Sequence, residues 1–123
     1  MITATDFRRI ALGLDGAIEG AHMGHPDFRA HGRVFASLQA AERGMVKLTP
    51  EQQERFIAGD PQSFMPESGA WGRQGCTRVL FATVDEEALG EAMTLAWRNS
   101  ATASSSSTPR RPTSRRSDGR RTR

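Results

Sequence analysis

The sequence predicts an α+β domain over residues 1–100, one antiparallel sheet with helices packed on one side, followed by a disordered tail over 101–123. Three observations predict it. Capping signatures at Thr3 and Thr49 open stretches whose apolar residues recur at helical spacing. Residues 27–48 instead alternate apolar and polar side chains, the period of a strand. Leu89, Ala92, Met93, Ala96 and Trp97 then form the cleanest helical stripe in the chain.

The first helix follows from Thr3 and Asp6, three residues apart, whose side-chain oxygens can satisfy orphan N–H groups. Phe7, Ile10, Ala11 and Leu14 supply its buried face, and Gly13 and Gly16 end it near residue 14. From Ala17 to Leu48 the spacing predicts an antiparallel meander. Phe28 and Ala30 alternate with Asp27, Arg29 and His31, and His31-Gly32 suits a two-residue hairpin turn. Val34, Ala36 and Leu38 alternate with Phe35 and Ser37 in the returning strand; Gln39 to Arg43 is expected to be a polar loop, and Met45 to Leu48 a further strand.

Thr49-Pro50-Glu51-Gln52 is a strong helix start, with Pro50 where its missing N–H does no harm. Phe56 and Ile57 face inward, and Gly59 with Asp60-Pro61 stops the helix. Residues 60–75 are expected to be mostly loop, and Cys76 to Ala82 a strand. The last helix starts at Asp85, with Arg98 in its final turn and Asn99 just past its end. The expected order is α-β-β-β-β-α-β-α. Residues 101–123 contain no Val, Ile, Leu, Met, Phe or Trp and so have nothing to bury.

Charge divides along the same boundary. Residues 1–100 hold 10 Lys+Arg against 13 Asp+Glu, whereas 101–123 hold seven Arg and only Asp118. A mildly acidic body thus carries a basic appendage. Arg110, Arg111, Arg115 and Arg116 there could neutralise phosphates without selecting sequence, and an extension without a role is the other reading. No apolar run approaches the roughly 20 residues needed to span a bilayer, so no membrane association is expected. Charged residues at 6, 8 and 9 leave no room for a signal peptide, and a cytoplasmic protein is expected.

Few residues suggest catalysis. His22, His25 and His31 lie near Asp27, but no spacing converges three or four ligands on one point, so no metal or cofactor is expected. Cys76, the single cysteine, is better explained as a small apolar residue opening a strand than as a nucleophile. Gly69, Gly72 and Gly75 do not join strand to helix as a phosphate-cradling loop would. No enzyme is expected. Trp71, flanked by glycines and followed by Arg73, has two readings: a lid folded back over the core, or an exposed aromatic beside a cation. Arg29, Arg33, Lys47 and Arg78 could extend such a patch if their strands are neighbours, and are otherwise ordinary solvated positions.

His22 to Arg29, Arg33-Val34-Phe35-Ala36, Met45 to Gln52, Gly69 to Arg73 and Leu95 to Arg98 follow, in order and spacing, the pattern of MmcQ/YjbR-like proteins, which residues 2–99 resemble. The resemblance implies a double-wing-like α+β fold and DNA binding, with family motif positions at His25, Pro26, Phe28, Lys47, Trp71 and Trp97. Those positions read equally as determinants of the fold. Two functions follow as expectations. The first is a non-catalytic DNA-binding protein using Arg29, Arg33, Lys47, Trp71, Arg73 and Arg78, helped by the tail arginines. The alternative is a module for a protein partner or a small ligand near His25, Phe28 and Trp71.

Overall fold

A computed structural model describes residues 2–106. The elements are α1 (Ala4–Leu12), β1 (Ile18–His22), β2 (His25–Ala30), β3 (Arg33–Ala40), β4 (Arg43–Lys47), α2 (Pro50–Gly59), β5 (Phe64–Pro66), α3 (Gly69–Arg73), β6 (Cys76–Leu80) and α4 (Glu86–Ser106). The six strands form one sheet in the order β1-β2-β3-β4-β6-β5, antiparallel at every step. The α+β architecture read from the sequence is therefore the one observed.

Both capping boxes form. Thr3 Oγ1 accepts from the Asp6 amide at 3.1 Å while Asp6 accepts from the Thr3 amide at 3.0 Å. Thr49 and Gln52 do the same for α2, with Pro50 in its first turn. Two hairpins turn through residue pairs with positive φ, Met23-Gly24 (52° and 82°) and His31-Gly32 (58° and 77°), as the right-handed twist of two-residue hairpins demands. His31-Gly32 is legible in the sequence; Met23-Gly24 is not, because methionine seldom takes that conformation.

Helices α1 and α4 cover β2, β3 and β4, and α2 covers β5 and β6. Phe7, fully buried, packs at a tilt between Phe28 (ring centroids 5.9 Å) and Phe81 (5.3 Å). It lies over Gly44, where a Cβ would stand 2.7 Å from its ring. Phe56 of α2 packs on Phe64 at 5.1 Å. Gln53 Nε2 reaches Gly72 O, Cys76 O and Thr77 Oγ1 at 3.0–3.2 Å, tying α2 to the start of β6.

Several expectations need correction. Gln39 to Arg43 is not a loop: β3 and β4 are joined only by Ala41 and Glu42. A bulge between Phe28 and Arg29 pairs Phe28 with Ala36 and Arg29 with Val34, so Phe35 is an extra residue. Phe35 and Ala36 are both buried, whereas simple alternation puts them on opposite faces. Residues 60–75 contain the edge strand β5 and the short helix α3, both too brief to show a period. β6 ends at Leu80 rather than Ala82; beyond it the Phe81 amide bonds to Glu42 O.

Asn99 does not end α4, which continues to Ser106. Its Nδ2 instead donates to Lys47 O (3.1 Å) and Gln52 Oε1 (2.8 Å), and buried Ser100 meets His31 Nδ1 at 2.9 Å. These bonds hold the helix past the point where sequence signals would stop it. The remainder of the tail, with Arg110, Arg111, Arg115 and Arg116, lies outside the described residues.

Candidate functional site

The sheet face away from α1, α2 and α4 is concave. Register places Asp27, Ser37, Met45 and Arg78 in one row across β2, β3, β4 and β6. Arg29 and Val34 lie to one side of that row, Lys47 and Cys76 likewise, and Gln39 and Arg43 to the other. His22 and His25 line one end and Glu67, Ser68 and Trp71 the other of an open hollow of about 720 Å³. The side chains point here because strand residues alternate: in β4, Arg43, Met45 and Lys47 face the groove, while Gly44 and Val46 face the helices.

Four cations, Arg29, Arg43, Lys47 and Arg78, share this groove with two carboxylates, Asp27 and Glu67. A surplus of two positive charges remains with both histidines neutral. Arg29 grips buried Asp27 with both arms of its fork, Nε to Oδ1 at 2.8 Å and Nη2 to Oδ2 at 3.1 Å. The hydrogen bonds to Asp27, then its charge, push the Arg29 guanidinium further toward its charged form against the effect of burial. Gly20 on β1 makes room for the pair, since a Cβ there would come within 3.0 Å of both partners. Arg78 Nη2 donates to Glu67 Oε1 at 3.0 Å. Arg43 and Lys47 make no ion pair among the described residues.

Four buried side-chain atoms have no hydrogen-bond partner among the described residues: Gln39 Oε1, Arg43 Nε, Glu67 Oε2 and Arg78 Nε. All four belong to residues lining the groove. An unpartnered buried polar atom costs about 1–3 kcal/mol, so their concentration in one hollow sets that hollow apart from the rest of the fold. Cys76 also lies on its floor. Burial is the largest influence on that thiol and raises its pKa; Lys47 lowers it and Glu67 raises it.

Trp71 is 64% exposed on the rim, so it is not a lid over the core. Arg33 and Arg73 do not join the groove: exposed Arg33 borders a separate hollow of about 390 Å³ with Leu48, Pro50 and Asn99, and Arg73 is exposed at the end of α3. His31 is directed elsewhere, its ring 5.4 Å from that of Trp97. Among the described residues no three of His, Cys, Asp or Glu are grouped to hold a metal, and no helix is long and apolar enough to cross a membrane.

A family model, YjbR, matches residues 12–99, a span that takes in the sheet, the groove and most of α4. The chain belongs to the YjbR family. A solved structure from Deinococcus radiodurans, protein DR2400, described as a DUF419 domain, is similar to this chain with a TM-score of 0.66. It is 24% identical, and the likeness covers 79% of this chain and 77% of that one, which bears on the fold. No curated protein matches.

The six positions singled out by the sequence resemblance divide by surroundings. Phe28 is core, and Trp97 Nε1 donates to Asp15 O at 2.8 Å while its ring meets His31. Pro26 is half-buried in β2 beside His25. His25, Lys47 and Trp71 line the groove. Sequence reasoning missed Arg43, Gln39, Ser37 and Glu67. The signal for Arg43 is present in the alternation Arg43, Met45, Lys47 against Gly44, Val46, Leu48, and assigning Arg43 to a loop hides it.

Proposed function

We propose that this YjbR protein is a non-catalytic DNA-binding protein whose binding surface is the concave sheet face. The observation carrying the reading is the gathering of Arg29, Arg43, Lys47 and Arg78 in one groove of an otherwise acidic body, with an exposed indole at its rim. Arg43 and Lys47 are the residues that meet phosphate, since Arg29 and Arg78 are already engaged with carboxylates. Arg110, Arg111, Arg115 and Arg116 add attraction that does not depend on sequence. Absence of catalysis is favoured by the chemistry of the floor: the Cys76 thiol is held toward its protonated form, and the histidines of β1 and β2 are at least three strand positions, about 14 Å, from it.

The test is affinity for a DNA oligonucleotide at about 50 and 200 mM salt. For R43A/K47A in the full chain, binding should weaken and the salt slope should fall, for each phosphate no longer neutralised, by about 0.9 on a duplex or about 0.7 on a single strand. Binding that survives this change and disappears only when the seven tail arginines become alanine would refute a role for the sheet. The volume of the groove favours a second reading, a module for a small anionic ligand, because 720 Å³ falls within the usual range of small-molecule sites. Ligand-induced thermal stabilisation by mononucleotides, with no oligonucleotide affinity, would select it.

A further inference from the structure

We infer that the groove takes an unstacked base of a single strand rather than a duplex; this rests on the nucleic-acid reading above and specifies the form of nucleic acid. The first argument is width. The duplex major groove, about 12 Å across, admits a helix or a two-stranded ribbon. The row from Asp27 to Arg78 alone crosses three strand spacings, about 14 Å, and sits within a six-stranded sheet. Such a face cannot enter a duplex to read it. An open sheet is instead a surface on which single strands lay their bases flat.

The second argument is the chemistry of the unpartnered atoms. Two donate, Arg43 Nε and Arg78 Nε; two accept, Gln39 Oε1 and Glu67 Oε2. A phosphate brings only acceptors, so it can satisfy the arginines and leaves the other two unmet. The edge of a nucleobase carries N–H groups beside carbonyl or ring-nitrogen acceptors, and so matches both kinds at once. Guanine offers acceptors to an arginine and N–H groups to a carboxylate on one ring system, and cytosine offers its amine to Glu67. The third argument is Trp71, whose exposed indole stands beside Glu67 and Ser68 at the rim, where it can stack on a base whose edge points at the floor.

Charge and base reading predict opposite signs for one substitution. E67Q removes a negative charge from the groove; if phosphate attraction alone drives binding, affinity rises. If Glu67 accepts from a base, affinity falls by roughly tenfold, as loss of a hydrogen bond to a charged group does. The experiment is fluorescence anisotropy on the full chain carrying alanine at all seven tail arginines (Arg110, Arg111, Arg115, Arg116, Arg120, Arg121 and Arg123), which silences the tail. Three probes are compared: one mixed-sequence oligonucleotide as a single strand, the same sequence as a duplex, and an abasic single strand of equal length. The single strand should bind roughly tenfold or more tightly than either other probe, and E67Q and W71A should each erase most of that margin. Trp71 is exposed, so W71A tests the inference even if E67Q perturbs folding, which circular dichroism would reveal. Duplex binding as tight as single-strand binding, still dependent on Arg43 and Lys47, would overturn the inference and leave the proposed function intact. Equal binding of the abasic strand would also overturn it. No binding by any probe would remove both.

Discussion

Arg29 and Asp27 form one ion pair, yet the two partners differ in how much their loss should matter. Asp27 is 3% exposed and receives both its hydrogen bonds from the same guanidinium, whereas the Arg29 side chain is 43% exposed. In R29M the carboxylate stays buried without either donor. Removing one member of a fully buried pair costs roughly 3–5 kcal/mol; the groove admits water along one side, so about 2–3 kcal/mol is expected here. In D27N the guanidinium swings into solvent and the buried group is neutral, at a cost of about 1 kcal/mol or less. For a domain of this size those figures correspond to a fall in Tm of roughly 10–20 °C against less than about 8 °C. The assay is urea unfolding of R29M, D27N and the double variant, with the m-value checked for constancy. The double variant should lie near D27N, because loss of the arginine matters only while the carboxylate is charged and buried. R29M as stable as D27N would refute this account of the pair. D27N should also tighten DNA binding, since it leaves the groove one positive charge richer.

Other expectations are read from single positions. G44A places a methyl group 2.7 Å from the Phe7 ring and should destabilise by about 1–3 kcal/mol, measured by the same unfolding assay; wild-type stability would show that Phe7 has room to move. M23N should stabilise the first hairpin by about 1 kcal/mol, because asparagine accepts the left-handed backbone that exposed Met23 adopts under strain, and an unchanged or lower midpoint would count against this. Hydrogen bonds from the Thr3 backbone and hydroxyl hold the Asp6 carboxyl below its ordinary pKa. Its contribution is therefore complete above the unfolded-state value and is lost as pH falls through the lowered folded-state value. The stability gap between wild type and D6N should narrow in acid, and a gap that stays constant with pH would contradict the capping role.

The elements that can be read in advance are those whose determinants are local. Thr3 with Asp6, Thr49 with Gln52 and the stripe from Leu89 to Trp97 each carry their signal within one or two helical turns, and each of these helices starts where the sequence predicts. Elements set by distant partners are hidden. β5 is a strand only because Phe64, Met65 and Pro66 lie along β6, and α4 continues past Asn99 only because Lys47, Gln52 and His31 meet it there. The bulge at Phe35 breaks the alternation that would sort β3. The groove is partly visible in the sequence, through Arg29, Lys47, Trp71 and Arg78. Its carboxylates are not, because no local pattern says that Asp27 will clasp Arg29 or that Glu67 will be brought beside Arg78 from the far side of α3.

Cys76 gives the protein a chemical reporter of its own. It is the single thiol of the chain, 6% exposed, and lies on the floor of the groove next to Lys47. With its ionisation suppressed by burial, alkylation at neutral pH is slow and accelerates as alkali draws off the proton. Whatever molecule settles above it must slow that reaction further, so the labelling rate of an unaltered chain reports occupancy without a dye, a tag or a substitution.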